Sequence, residues 1–173
     1  MRTLLGGEYD DFLKSADAPP PRALRINPFK LADGHPSAKM SDALSLSPVP
    51  YAENGYFFSS EKIGATPWHH AGAFYVQDPG AMSAVAAIPI EKGAKILDLC
   101  AAPGGKSHQA IARAGREGLL FSNEYVPSRA KMTVGNFERL GIPYAVVTSL
   151  DTAVFPTIFD SFFDLVICDA PCS

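Results

Sequence analysis

Four places in this 173-residue sequence carry residue types that could do chemistry, and each directly follows a run of apolar residues. The first reads Leu97-Asp98-Leu99-Cys100-Ala101-Ala102-Pro103-Gly104-Gly105-Lys106-Ser107. Paired glycines let a backbone turn sharply and come close to a ligand. A helix opening at Lys106 would offer free N–H groups to an anionic or polar end. An ordinary strand–helix turn would use the same Gly-Gly about as often. Two nucleotide motifs fail at named positions. A P-loop needs glycine where Cys100 stands, and G-x-G-x-x-G needs more than Gly104 and Gly105.

The second place is Asn123-Glu124, with Glu124 standing 19 residues past Gly105. A carboxylate at that offset can accept two hydrogen bonds from vicinal ribose hydroxyls, although a lone strand-end Glu is commonly just solvated. The third, Thr148-Ser149-Leu150-Asp151, puts another carboxylate on the same rim, where by itself Asp151 reads as a surface residue. Three carboxylates on one rim also suit Mg²⁺. No phosphate-binding motif accompanies them, so a nucleoside with several donors is the better partner.

The fourth place is Asp169-Ala170-Pro171-Cys172-Ser173. Asp169 follows an apolar strand, so partial desolvation and a raised carboxyl pKa are expected there. Pro171 fixes the local backbone. Cys172 is open to three readings: nucleophile, zinc ligand or inert thiol. Cys168-x₃-Cys172 with a distant Cys100 is poor zinc spacing, and no metal is expected. His69-His70 reads as a structural or surface feature rather than a ligand pair.

These residues need elements to hold them. Asp78-Pro79 is a helix start, with Asp as N-cap and Pro at the first helical position, and Ile88-Pro89 stops that helix. Strands are expected over 95–100, 119–123, 144–148 and 164–168, with helices over 106–114 and 128–140. Buried-type strands alternating with helices imply a parallel, doubly wound α/β sheet, in which ligands sit at the carboxyl ends of the strands. Upstream, Pro19-Pro20-Pro21 is a stiff spacer. Residues 23–27, 55–59 and 73–77 read as short strands, so residues 1–70 form a small α+β domain and 71–173 the parallel one.

Composition bounds the function more loosely. The net charge is −3; residues 1–70 hold 7 basic and 8 acidic side chains, and the remainder 8 and 10. Neither part has the basic excess usual in a nucleic-acid binder. Three cysteines without framework spacing argue against disulfides. No apolar run is long enough to span a bilayer and no export signal is visible, so a soluble, cytoplasmic protein is expected.

Taken together, the stretch 97–107 and the run Asp169-Ala-Pro-Cys-Ser173 resemble the first and fourth cofactor motifs of the NOL1/NOP2/Sun family of RNA cytosine-5 methyltransferases. They occur in the family's order, about 60 residues apart. Phe74-Tyr-Val-Gln-Asp-Pro-Gly-Ala-Met82 is similar to the segment that precedes the family's catalytic domain. Leu5-Gly-Gly-Glu-Tyr9, Ala23-Leu-Arg-Ile-Asn-Pro28 and His69-His70-Ala-Gly72 resemble its bacterial ribosomal-RNA branch.

The resemblance implies a Rossmann-like, class I S-adenosylmethionine-dependent methyltransferase domain behind an RNA-binding N-terminal domain. It implies that Cys100, Ala101, Ala102, Pro103, Gly104, Gly105, Lys106, Glu124, Asp151 and Asp169 contact S-adenosylmethionine. Glu124 would hold the ribose and Asp151 the adenine edge, with Asp169 near both the methionine portion and the target base. RNA, as 16S ribosomal RNA, is the implied partner.

Cytosine C5 becomes nucleophilic only after a thiolate adds at C6. In this family that thiolate belongs to a later Thr-Cys-Ser motif, while the Pro-Cys cysteine, here Cys172, assists product release. The later motif is absent from these residues, and the strand at 164–168 would be an apolar edge. The 173-residue chain is therefore expected to bind cofactor weakly and not to methylate. A noncatalytic RNA-binding or assembly module is the alternative from another class, and a DNA or small-molecule methyltransferase a third.

Overall fold

The computed structural model describes residues 1–31 and 33–170. The chain opens with α1 (Arg2–Leu5), a 3₁₀ turn (Gly6–Glu8) and α2 (Tyr9–Asp17), none of which buries a residue. After the proline spacer come β1 (Ala23–Ile26), α3 (Ala38–Leu44), β2 (Ser47–Pro48), β3 (Gly55–Phe57), α4 (Pro67–His70) and β4 (Phe74–Val76). The second half runs α5 (Pro79–Ala86), β5 (Lys95–Asp98), α6 (Gly105–Ala114), β6 (Leu119–Asn123), α7 (Pro127–Leu140), β7 (Ala145–Thr148), α8 (Phe155–Ile158) and β8 (Leu165–Ile167). Among the described residues, no helix is long and apolar enough to cross a membrane.

The first sheet is antiparallel, in the order β2-β3-β1-β4. Side chains alternate across a strand, so β1 sends Leu24 and Ile26 to one face and Arg25 to the other. Leu24, Ile26 and Phe74 pack with Met40, Leu44, Phe58 and Ile63 in the N-terminal core. Arg25 and its cross-strand partner Tyr75 face the second half of the chain. The first sheet also reaches past the division expected at residue 70. Strand β4 hydrogen-bonds to β1, with Ile26 opposite Phe74 and Leu24 opposite Val76, so the first sheet closes only at residue 76.

The second sheet is wholly parallel, in the order β7-β6-β5-β8. This is the α/β arrangement expected from the sequence, with every strand bound within two residues of the expected one. One face buries Ile96, Leu120 and Ile167 against Ile111 of α6 and Phe137 of α7. On the other, Phe121 meets Phe159, Phe162 and Phe163 at centroid separations of 5.1–6.4 Å.

Asn27, fully buried just past β1, joins the two halves. Its Nδ2 donates to the Gly72 and Leu140 carbonyls, both at 2.8 Å, and its Oδ1 accepts from the Phe29 N–H. Gly72 has φ +72° and lies so close to α7 that a Cβ there would overlap the Arg139 carbonyl oxygen. Replacing Asn27 with Ala leaves buried carbonyls without donors. We expect a loss of about 2–4 kcal/mol in urea unfolding; a change under about 0.5 kcal/mol would show that Asn27 does not join the halves.

Candidate functional site

Strand order reverses beside β5: the chain steps outward to β6 and β7, then returns to place β8 on the other flank. The connections leaving β5 and β8 diverge there, and a crevice opens at their carboxyl ends. A cavity of about 230 Å³ fills it, lined by Asp98, Cys100, Ala101, Ala102, Pro103, Gly105, Lys106 and Asp169 of the parallel half, and by Tyr75, Gln77 and Asp78 of the segment before it. A larger cleft of about 760 Å³ lies between the N-terminal sheet and α5 and α6, away from the strand ends. None of the residues expected to bind a ligand lines it.

The loop after β5 is shaped from beneath by Asp98, which is 1% exposed. One carboxylate oxygen accepts from the Ser107 hydroxyl at 2.6 Å, the other from the Cys100 N–H at 3.3 Å. Burial pushes the Asp98 carboxyl above its ordinary pKa, against the pull of those two hydrogen bonds. Gly104 caps α6 at φ +105°, and a Cβ there would sit 2.8 Å from the Phe137 ring. Glycine is required at that position for both conformation and space.

Asn123 ties the neighbouring rims together. Its Nδ2 donates to the Leu99 and Leu150 carbonyls, and its Oδ1 accepts from the Thr148 hydroxyl and the Leu150 N–H. Glu124 follows, 4% exposed, with Oε1 accepting from the Val126 N–H at 3.1 Å and lying 3.5 Å from the Arg129 guanidinium. The Cys100 thiol is pushed up by burial first, then by Cys168, Asp98, Glu124 and Asp169. That pattern gathers Glu124 and Asp169 around the same loop and keeps Cys100 a thiol rather than a thiolate nucleophile.

One expectation is corrected. Asp169 is not desolvated: its side chain is 61% exposed and pairs with the Lys106 ammonium at 2.7 Å. Beyond the end of β8 the carboxylate reaches over the cavity mouth, and Asp98 takes the buried place instead. Asp151 stays on the rim of β7 but is exposed, and it caps the following 3₁₀ turn through the Ala153 N–H at 2.9 Å. It does not line the cavity. Cys172 lies outside the described residues. His70 ends α4 and His69 gives its carbonyl to Arg139.

Sequence reasoning passed over Asp98, Asn123, Tyr75 and Gln77. The first two carried a signal, a polar residue at the buried end of an apolar strand. The other two depend on tertiary approach alone.

The topology and strand-end site define the class: a Rossmann-like S-adenosylmethionine-dependent methyltransferase fold. Residues 1–79 match the N-terminal domain of 16S rRNA methyltransferase RsmF, and residues 85–173 match 16S rRNA methyltransferase RsmB/F; the chain belongs to this RsmB/F family. The ribosomal RNA small subunit methyltransferase F of Escherichia coli is 34% identical over 173 residues, covering 95% of this chain and 36% of that protein. Its counterpart in Shigella dysenteriae is 33% identical over 180 residues, with the same coverage. The chain thus spans about a third of the length of these curated relatives.

Among solved structures, a methyltransferase homolog from Pyrococcus horikoshii superposes with a TM-score of 0.81 at 24% identity, covering 97% of this chain and 56% of that one. NSun6 from Pyrococcus horikoshii with SFG gives 0.79 at 16% identity, covering 99% and 68%. At these identities the likeness is one of fold.

A raised carboxyl pKa has a definite sign. The stability Asp98 contributes is complete below the ordinary carboxylate value and is lost as pH rises through its folded value. In Asp98→Asn this titration is gone. As pH rises from the ordinary carboxylate value through the raised folded one, the unfolding free energy of the parent should fall relative to Asp98→Asn. Parallel curves from urea titrations would contradict the burial argument.

Proposed function

We propose that this chain forms the methyl-donor half of an enzyme that methylates cytosine C5 in 16S ribosomal RNA. The observation that carries the reading is the convergence of Asp98, Cys100, Lys106 and Asp169 on one cavity at the sheet's switch point. The donor set fits S-adenosylmethionine: carboxylates for hydroxyl and ammonium donors, and free N–H groups at the start of α6 for a carboxylate. When bound, S-adenosylmethionine supplies an electrophilic methyl group. The cavity is smaller than most small-molecule sites, so the ligand extends along the rim toward Glu124.

In this reading Glu124, already oriented by the Val126 N–H and Arg129, accepts from the ribose hydroxyls. Asp151 takes the adenine edge, and residues 100–106 wrap the remainder. Asp169, held by Lys106, stands between the methionine portion and the target base. The target cytosine must leave its stack to reach this crevice. A cysteine thiolate adds to C6, C5 takes the methyl group, a base removes the C5 proton, and elimination restores the thiolate. The resemblance gives the attack to the cysteine of a Thr-Cys-Ser motif and product release to Cys172. Residues up to the end of β4 form the RNA-binding part, and the 173-residue chain alone transfers no methyl group.

Calorimetric titration with S-adenosylmethionine tests the site. Glu124→Gln should weaken binding about tenfold, a loss of about 1.4 kcal/mol; unchanged affinity would remove Glu124 from it. The complete protein should give 5-methylcytosine in 16S ribosomal RNA, read by mass spectrometry of digested RNA. Modification at another atom, or methyl transfer by residues 1–173 alone at an ordinary enzyme rate, would contradict the proposal. Failure of the complete protein to bind the donor would favour the noncatalytic assembly module.

A further inference from the structure

Arg25 is the largest fully buried side chain among the described residues, at 2% exposure. Among the described residues it makes no ion pair. Its three hydrogen-bonded partners are all neutral acceptors. Nη2 donates to the Gly105 carbonyl at 2.9 Å and to His108 Nδ1 at 3.0 Å, and Nε donates to Gln77 Oε1 at 3.3 Å. Burial pushes the guanidinium pKa down to about 9. A buried charge without a counter-ion is costly, and an apolar residue would join two layers more favourably.

The places where these contacts land explain the cation. Gly105 is the first residue of α6, and Gln77 lines the methyl-donor cavity. Tyr75, opposite Arg25 across the β1–β4 ladder, donates its hydroxyl to the Pro103 carbonyl at 3.3 Å. A Cβ on Gly105 would sit 3.0 Å from the Tyr75 ring and 3.4 Å from the Gln77 amide carbon. One face of the N-terminal sheet therefore grips residues 103–105 from behind.

We propose that Arg25 is a positioning residue of the methyl-donor site: from the N-terminal sheet it fixes the Gly105 turn, Gln77 and His108, and so sets the start of α6 for ligand. The proposal rests on the cavity binding S-adenosylmethionine. A guanidinium only donates, so His108 Nδ1 must accept and its proton must lie on Nε2, a buried atom with no partner among the described residues. Burial first, then Arg25 and Arg139, hold the His108 pKa well below 6.5, so the ring is neutral.

The test measures S-adenosylmethionine affinity and thermal midpoint for the parent chain, Arg25→Met, Arg25→Lys and Asn27→Ala, with nitrogen NMR of His108. Arg25→Met should weaken binding about tenfold or more. Arg25→Lys keeps the charge without the fork and should weaken it about threefold to fivefold. Asn27 joins the same halves without touching α6, so Asn27→Ala should lower the midpoint and leave binding within about twofold. The parent should show the neutral Nε2–H tautomer of His108, lost in Arg25→Met.

Unchanged binding in either Arg25 variant, or an equal loss in Asn27→Ala, overturns the proposal. If Arg25→Met does not fold, Arg25→Lys decides. A parent chain that does not bind the donor overturns the functional reading itself, whereas a binding parent with indifferent Arg25 variants overturns only this inference.

Discussion

A parallel sheet whose strand order reverses leaves a gap that no connecting loop can fill, because the loops on either side of the reversal run to opposite faces. In this protein the reversal falls at the flank of β5 shared with β8, and everything else is arranged to use it. The order β7-β6-β5-β8 brings four strand ends to one edge. Asp98 sits at the bottom of the gap, where a carboxylate is costly but where its two acceptor oxygens can shape the loop above through Ser107 and Cys100. The adjacent rim is held by Asn123, whose side-chain amide reaches the loops after β5 and β7 together. Rigidity around the gap thus comes from a few saturated buried polar groups rather than from more apolar packing.

The N-terminal sheet is more than a neighbour to this edge. One of its faces supplies the apolar core around Leu24, Ile26 and Phe74, while the other turns Arg25, Tyr75 and Gln77 toward the parallel half. The strand period of two makes this division possible in four residues of β1. The approach of Gly72 to α7 and the two carbonyls held by Asn27 fix the register of one half on the other. A site shared between two sheets depends on the contacts that cross directly to it, which gives Arg25 and Tyr75 a functional weight beyond stability.

The parallel half was legible because its signals are local. Apolar strand runs, the Asp78 cap with Pro79, and glycines 115 and 141 at helix ends read correctly to within one or two residues. The helices of the N-terminal α+β part were not placed. Segments of four to nine residues offer too little periodicity, although Ser37 and Thr66 carried usable capping signals, accepting from the Met40 and His69 N–H groups. Sequence also chose the wrong desolvated carboxylate. Asp98 and Asp169 both end apolar strands, but β5 is central and β8 is an edge strand, a difference set only by strand order. The reach of Arg25 to Gly105 crosses 80 residues and leaves no local trace.

The central claim is that the gap beside β5 holds the methyl-donor nucleoside. A crystal structure of this chain with S-adenosylhomocysteine tests it most directly. The account requires ligand density over the carboxyl ends of β5, β6 and β8, in contact with the 100–106 loop and Glu124. Density seated instead in the larger cleft between the N-terminal sheet and α6, beside Tyr51 and Arg113, would contradict it.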